Sequence, residues 1–123
     1  MSVVDEKIAV RNTVQQYLDA WPKKDVEVFD RLFHPDFIMT SLKDGKPVFT
    51  GVDLMIKVMT ESTASWQDYA ADISHIQIAG PIATVEVDEY SFNDINVVAT
   101  DFFQLMKIDG IWQFTAKTYH FHD

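Results

Sequence analysis

The segment VVATDFFQLMKIDGIWQFTAKTYHFH, residues 97–122, constrains the fold more than any other part of the chain. Two runs rich in β-branched and aromatic residues flank Asp109-Gly110, a dipeptide favoured in two-residue hairpin turns because both central positions need positive φ. With that turn Ile108 lies opposite Ile111, and the pairs continue as Leu105–Phe114, Phe103–Ala116, Asp101–Thr118 and Ala99–His120. Trp112, Phe114, Phe103 and Leu105 then form one continuous apolar surface for helices to pack on, with Lys107 and Trp112 at the turn end. A three-residue turn with a glycine bulge would instead set Asp101 opposite Lys117 and mix Leu105 with Gln113. Register is selected by keeping one face apolar, which favours the two-residue turn.

That register puts a carboxylate, Asp101, in the middle of the inner face. His120 is its diagonal neighbour, about 7–8 Å away at the backbone, near enough for the two side chains to lean together. Desolvation raises the proton affinity of a carboxylate placed there unless a donor holds it. Asp101 is therefore either a structural acid bonded to Thr118, His120 or a helix group, or the polar centre of a site with His120 as its acid–base partner. His120 and His122 alternate onto one face, and with Asp101 would make a two-His, one-carboxylate set. No metal motif anchors them and a terminal strand frays, so no metal and no cofactor are expected. The opposite face, Val98, Thr100, Phe102, Gln104 and Met106 against Phe121, Tyr119, Lys117, Thr115 and Gln113, carries no acid in a chain with nineteen. Such depletion predicts a homodimer through this outer face. Lys117 is expected there, packed on Phe102.

Upstream, Val10, Val14, Tyr17, Leu18 and Trp21 fall on one helical stripe, ended by Pro22. Asp25 is a candidate N-cap for a short helix carrying Val26, Phe29, Leu32 and Phe33, which ends near His34-Pro35. DFIMTSL and VFT read as strands about the turn KDGKP. Thr50 with Asp53 opens a third helix whose apolar face is Leu54, Met55, Val58 and Met59. ISHIQI and IATVEVDEYSF alternate as strands about Gly80-Pro81. Three helices segregated to one face of a mainly antiparallel sheet make the chain α+β, a single domain over residues 1–123.

Composition narrows the partners. A net charge of −9 disfavours nucleic acid and anionic membranes as partners, and the absence of cysteine removes disulfides, thiolate metal sites and thiol nucleophiles. No window is long and apolar enough for a membrane span, and MSVVDEKIAVRN has no signal-peptide core, so a cytoplasmic location is expected. Nine Phe exceed what packing a small core requires and suit a chain that also lines a cavity.

YLDAWPKKDVEVFDRLFHPDF (17–37), followed by TDFFQLMKIDGIWQFTAKTYH (100–120), resembles the nuclear transport factor 2-like superfamily. The nearest branch is that of the putative lumazine-binding and polyketide-cyclase-like (SnoaL-like) proteins. The resemblance spans nearly the whole chain. It implies a cystatin-like cone: a strongly curved, mixed sheet wrapped around helices, with an interior pocket at the open end and a sheet-mediated dimer. Enzymes and non-catalytic binding proteins share this scaffold, so fold does not fix function. The isomerases of the superfamily map their inner-strand acid onto Asp101 and their helix-one tyrosine onto Tyr17. Met39 and Thr40 stand where their general base would be. The epoxide hydrolases need an Asp-Arg-Asp set, whereas Arg11 and Arg31 lie on helices.

Three readings follow. The first is a pocket for a small apolar or aromatic molecule, lined by Tyr17, Trp21, Phe33, Met55, Met59, Trp66, Phe103 and Thr118 and anchored by Asp101. The second is a proton-transfer enzyme of isomerase, cyclase or dehydratase type using Asp101 and His120. The third is a dimeric interaction module whose interior is filled. His34 reads as structural, and His75 has no nameable partner.

Overall fold

The computed structural model describes residues 2–62, 69–90 and 97–122. In chain order the elements are α1 (Val3–Lys23), α2 (Glu27–Leu32), β1 (Phe33–Lys43), β2 (Lys46–Gly51), α3 (Val52–Glu61), β3 (Ala70–Ala79), β4 (Ile82–Tyr90), β5 (Val97–Ile108) and β6 (Ile111–Phe121). The six strands form one mixed sheet in the order β2-β1-β6-β5-β4-β3, parallel only between β1 and β6. The sheet curls without closing, and the three helices pack on it: an α+β cone, as the sequence implies.

The first helix is longer than its apolar stripe. Ser2 caps it reciprocally with Asp5, and Pro22 falls inside the last turn instead of ending the helix. The end comes at Lys24, whose left-handed backbone (φ 52°) lets its N–H reach the carbonyls of Ala20 and Trp21. Asp25 does accept a hydrogen bond from the Glu27 N–H at 3.2 Å, although Val26 occupies the cap position of α2. Gly51, not Thr50, caps α3, with Asp53 in its first turn.

Core packing joins the helical stripe to the sheet. Tyr17 is 1% exposed, and its ring lies 5.3–6.3 Å from those of Phe29, Phe33, Phe103 and Phe114. Phe33 and Phe114 stack at 4.5 Å. The Phe-rich composition is spent mainly here: Phe29, Phe33, Phe37, Phe103 and Phe114 are all buried in the core. The first turn of α1 is tied to the far hairpin, because Glu6 accepts from Lys107 Nζ at 2.7 Å and Trp112 Nε1 at 2.9 Å.

The β5–β6 hairpin turns as its sequence predicts. Asp109 and Gly110 have φ of 50° and 82°, and Ile108 pairs with Ile111 and Leu105 with Phe114. Beyond that the expected register fails. Thr115 is an extra residue, so Gln104 pairs with Ala116, Phe103 with Lys117, Asp101 with Tyr119 and Ala99 with Phe121. A β-bulge of this kind bends its strand and reverses the facing of every later side chain relative to an unbulged count. Lys117 and Tyr119 consequently turn to the interior, while Thr118, His120 and His122 turn out.

Candidate functional site

A cavity of about 540 Å³ lies between α1, α3 and the inner face of the sheet. Its deep lining is supplied by Tyr17, Trp21, Met39, Met55 and Asp101, all buried. Leu54 and Val58 of α3 and Phe121 at the end of β6 also line it and are 38%, 41% and 66% exposed, so they form its rim. Tyr69, Glu89, Tyr90, Val98, Lys117 and Tyr119 complete the wall.

Asp101 is the one acid of the buried interior among the described residues, and it is 1% exposed. Its neighbours on β4 and β6 set its electrostatics. Lys117 Nζ stands 3.8 Å from Oδ1, an ion pair too long to be a hydrogen bond, and among the described residues Oδ2 has no hydrogen-bond partner. Burial pushes the Asp101 carboxyl up to about 7; Lys117 works against that rise, and Glu89 and Asp88 add to it. Lys117 keeps its proton. Burial acts to remove it, but the surrounding Tyr17, Asp101 and Glu89 outweigh burial and hold the ammonium above the ordinary lysine value.

The ammonium is also held by rings. Lys117 Nζ lies 5.5 Å from the Phe103 centroid and 5.1 Å from that of Tyr119. Tyr69 donates to Glu89 Oε1 at 2.7 Å, which fixes that carboxylate at the wall. Burial drives the phenols of Tyr17 and Tyr69 well above the ordinary tyrosine value, so both stay neutral at physiological pH.

The structure sorts the residues expected from sequence. Asp101, Tyr17, Trp21 and Met55 line the cavity. Phe33, Met59 and Phe103 are core residues instead, Phe103 lying beneath the Lys117 ammonium. Trp66 lies outside the described residues. Thr118 does not face Asp101: it pairs with Phe102 on the outer face and shares a 2.9 Å hydrogen bond with Thr40. His120 pairs with Thr100 on that same outer face, so the expected Asp101–His120 couple does not form. Its ring sits 5.0 Å from that of His122, whose Nε2 is 2.8 Å from Thr100 Oγ1. Among the described residues no group of three or more His, Cys, Asp or Glu could hold a metal ion. None of their helices is long and apolar enough to cross a membrane.

Lys117 and Tyr119 face in where the regular register turns them out, and Thr118 and His120 face out where it turns them in, all for one reason, the Thr115 bulge. A signal for it exists in WQFTAKTYHF. The large aromatics occupy even positions at Trp112 and Phe114 and odd positions at Tyr119 and Phe121. A change of parity along one half-buried strand requires an extra residue between.

The outer face is corrected likewise. On β6 it carries Ala116, Thr118 and His120 in place of Lys117, Tyr119 and Phe121, and Val98 of β5 lines the cavity. Asp88 and Glu86 of β4 flank it, opposite Thr100 and Phe102, and Thr100 Oγ1 donates to Asp88 at 2.8 Å.

Comparison with known proteins places this geometry. A family model described as "Putative lumazine-binding" matches residues 5–120. No curated protein matches the chain. Among solved structures, an NTF2-like protein of unknown function from Shewanella baltica OS155 superposes with a TM-score of 0.87 at 23% identity, covering 100% of this chain and 98% of that one. A second, from Silicibacter pomeroyi DSS-3, gives 0.83 at 20% identity over 99% and 100% of the two chains. An NTF2-like protein with a cystatin-like fold from Novosphingobium aromaticivorans gives 0.71 at 11% identity, over 98% and 84%. Likeness at these identities establishes the fold.

Proposed function

Since the chain belongs to the putative lumazine-binding family of NTF2-like proteins, we propose that it binds a small, flat, largely apolar molecule in the cavity, with Asp101 as the polar anchor. One observation carries the reading: a buried carboxylate, one oxygen of which is unbonded among the described residues, stands at the wall of an otherwise mainly apolar and aromatic space. The volume of 540 Å³ lies within the range of about 300–1,000 Å³ that small-molecule sites occupy. An unsatisfied buried acceptor costs free energy until a ligand supplies the missing donor. The family description makes lumazine the first compound to try, with 2-naphthol as a second flat bicycle. Calorimetric titration should give saturable binding of at least one. Val58→Trp, which narrows the rim, should abolish it. Silence from both compounds, or binding indifferent to Val58→Trp, would count against the reading.

A second reading has its own support. A carboxyl pushed up to about 7 exists in both protonation states at neutral pH, which suits a group that takes a proton from carbon and returns it. Lys117 would stabilise the oxyanion so formed, and His120 has no part. The test is solvent deuterium exchange at the α-carbon of 2-tetralone, a flat bicyclic ketone, followed by NMR. Exchange catalysed by the wild type and lost in Asp101→Asn supports proton transfer, whereas equal rates with and without protein leave only binding.

A further inference from the structure

The polar end of the cavity is a charge pair, and a pair selects its ligand differently from a lone acid. Among the described residues Asp101 Oδ2 accepts no hydrogen bond, Lys117 Nζ lies 3.8 Å from the other oxygen, and both side chains line the cavity. An anionic ligand would meet Asp101 and Glu89, and would enter a protein of net charge −9. A cationic ligand would meet Lys117 at close range. A neutral ligand offering only acceptors would leave Oδ2 unbonded, and one offering only donors would leave the ammonium so. Each of these outcomes carries the cost of a buried, unsatisfied polar group.

Resting on the binding reading above, we propose that the cavity recognises a neutral lactam or imide edge of a flat heterocycle, its ring N–H donating to Asp101 Oδ2 and its adjacent carbonyl accepting from Lys117 Nζ. Ring geometry fixes the N–H and C=O of a lactam side by side and coplanar, as an adjacent acceptor and donor on the protein require. The body of the heterocycle would lie against Tyr17, Trp21, Met55 and Tyr119, which offer apolar and aromatic surface. Recognition involves no covalent step. It discriminates sharply because removing either half of the edge strands a buried partner on the protein.

A matched series tests this on the wild-type chain: 2-quinolinone, N-methyl-2-quinolinone, 2-methoxyquinoline and quinoline-2-carboxylate, compared by calorimetry at one ionic strength and one pH above 7, where Asp101 is ionised. The first should bind at least ~10-fold more tightly than each of the others, the size expected for one stranded buried hydrogen-bonding group. Lys117→Met should reduce the preference for 2-quinolinone over 2-methoxyquinoline, and Asp101→Leu the preference for it over the N-methyl compound. Equal affinities across the neutral members would overturn the edge while leaving a binding cavity in place. Tightest binding of the carboxylate would overturn the neutrality argument. Binding of none of the four would overturn this proposal, and the binding reading falls with it only where lumazine and 2-naphthol are silent as well. Since the ligand series is read on the unaltered protein, the proposal stands or falls even if neither variant folds.

Discussion

At the residue scale, the Asp101–Lys117 pair carries most of what is unusual in this chain. Removing one member of a buried pair strands the other, so Lys117→Met should destabilise the protein by about 3 kcal/mol in urea denaturation. The double variant Asp101→Asn/Lys117→Met should recover most of that loss. Additive losses would mean that the two side chains do not interact. The acid also leaves a signature in pH. Its ordinary value is 3.8 and burial raises it to about 7, so between those values the folded chain binds more protons at this site than the unfolded one. Stability at this group is therefore lost as pH rises from about 4 to about 7, the reverse of the usual salt-bridged aspartate. Wild-type stability should fall across that window relative to Asp101→Asn, in which Lys117, Glu89, Asp88 and Tyr17 remain; parallel curves would place the carboxyl at its ordinary value.

At the element scale, the decisive feature is one extra residue in β6. Phe114 faces in, Ala116 faces out with Gln104, and Lys117 faces in with Phe103, so Thr115 is the residue with no opposite number on β5, its hydroxyl donating to the Gln104 carbonyl at 3.3 Å. Deleting Thr115 should then preserve every later pair and yield a regular strand, with the protein still folded but its bend lost. Amide spectra by two-dimensional NMR should show a dispersed fold with shifts centred on residues 103–105 and 114–117. An unfolded product would show that the bend itself is required to wrap the sheet around α1. The other elements were plainer in the sequence. The α1 stripe, the Asp109-Gly110 turn and the α3 apolar face each rest on local periodicity or turn chemistry, and each stands within a residue or two of its expected place. Pro22 misled because a proline ends a helix by its missing N–H, and in the last turn little helix remains to be broken.

At the scale of the whole molecule, the outer sheet face remains the region proposed as a subunit interface. Phe102 and Met106 are 44% and 46% exposed there, among Thr, Gln and Ala side chains with Glu86 and Asp88 at the flank, and an apolar patch with a polar rim of this kind on a sheet suits association. Light scattering should give twice the monomer mass, 14.1 kDa for one chain, and Phe102→Asp should return the monomer. A monomeric wild type would end that reading without touching the cavity, which lies on the other side of the sheet.

The fold class, the order of the elements, the hairpin turn and the burial of Asp101 were all legible in the chain, because each follows from the period of apolar residues or from the φ a turn demands. Tertiary structure alone decided what Asp101 meets. Its partner is set by the facing of β6, and that facing by a bulge at Thr115, which neither the hairpin turn nor strand propensity specifies. A one-residue slip costs nothing that local propensity can register, yet it exchanges His120 for Lys117 at the polar end of the cavity.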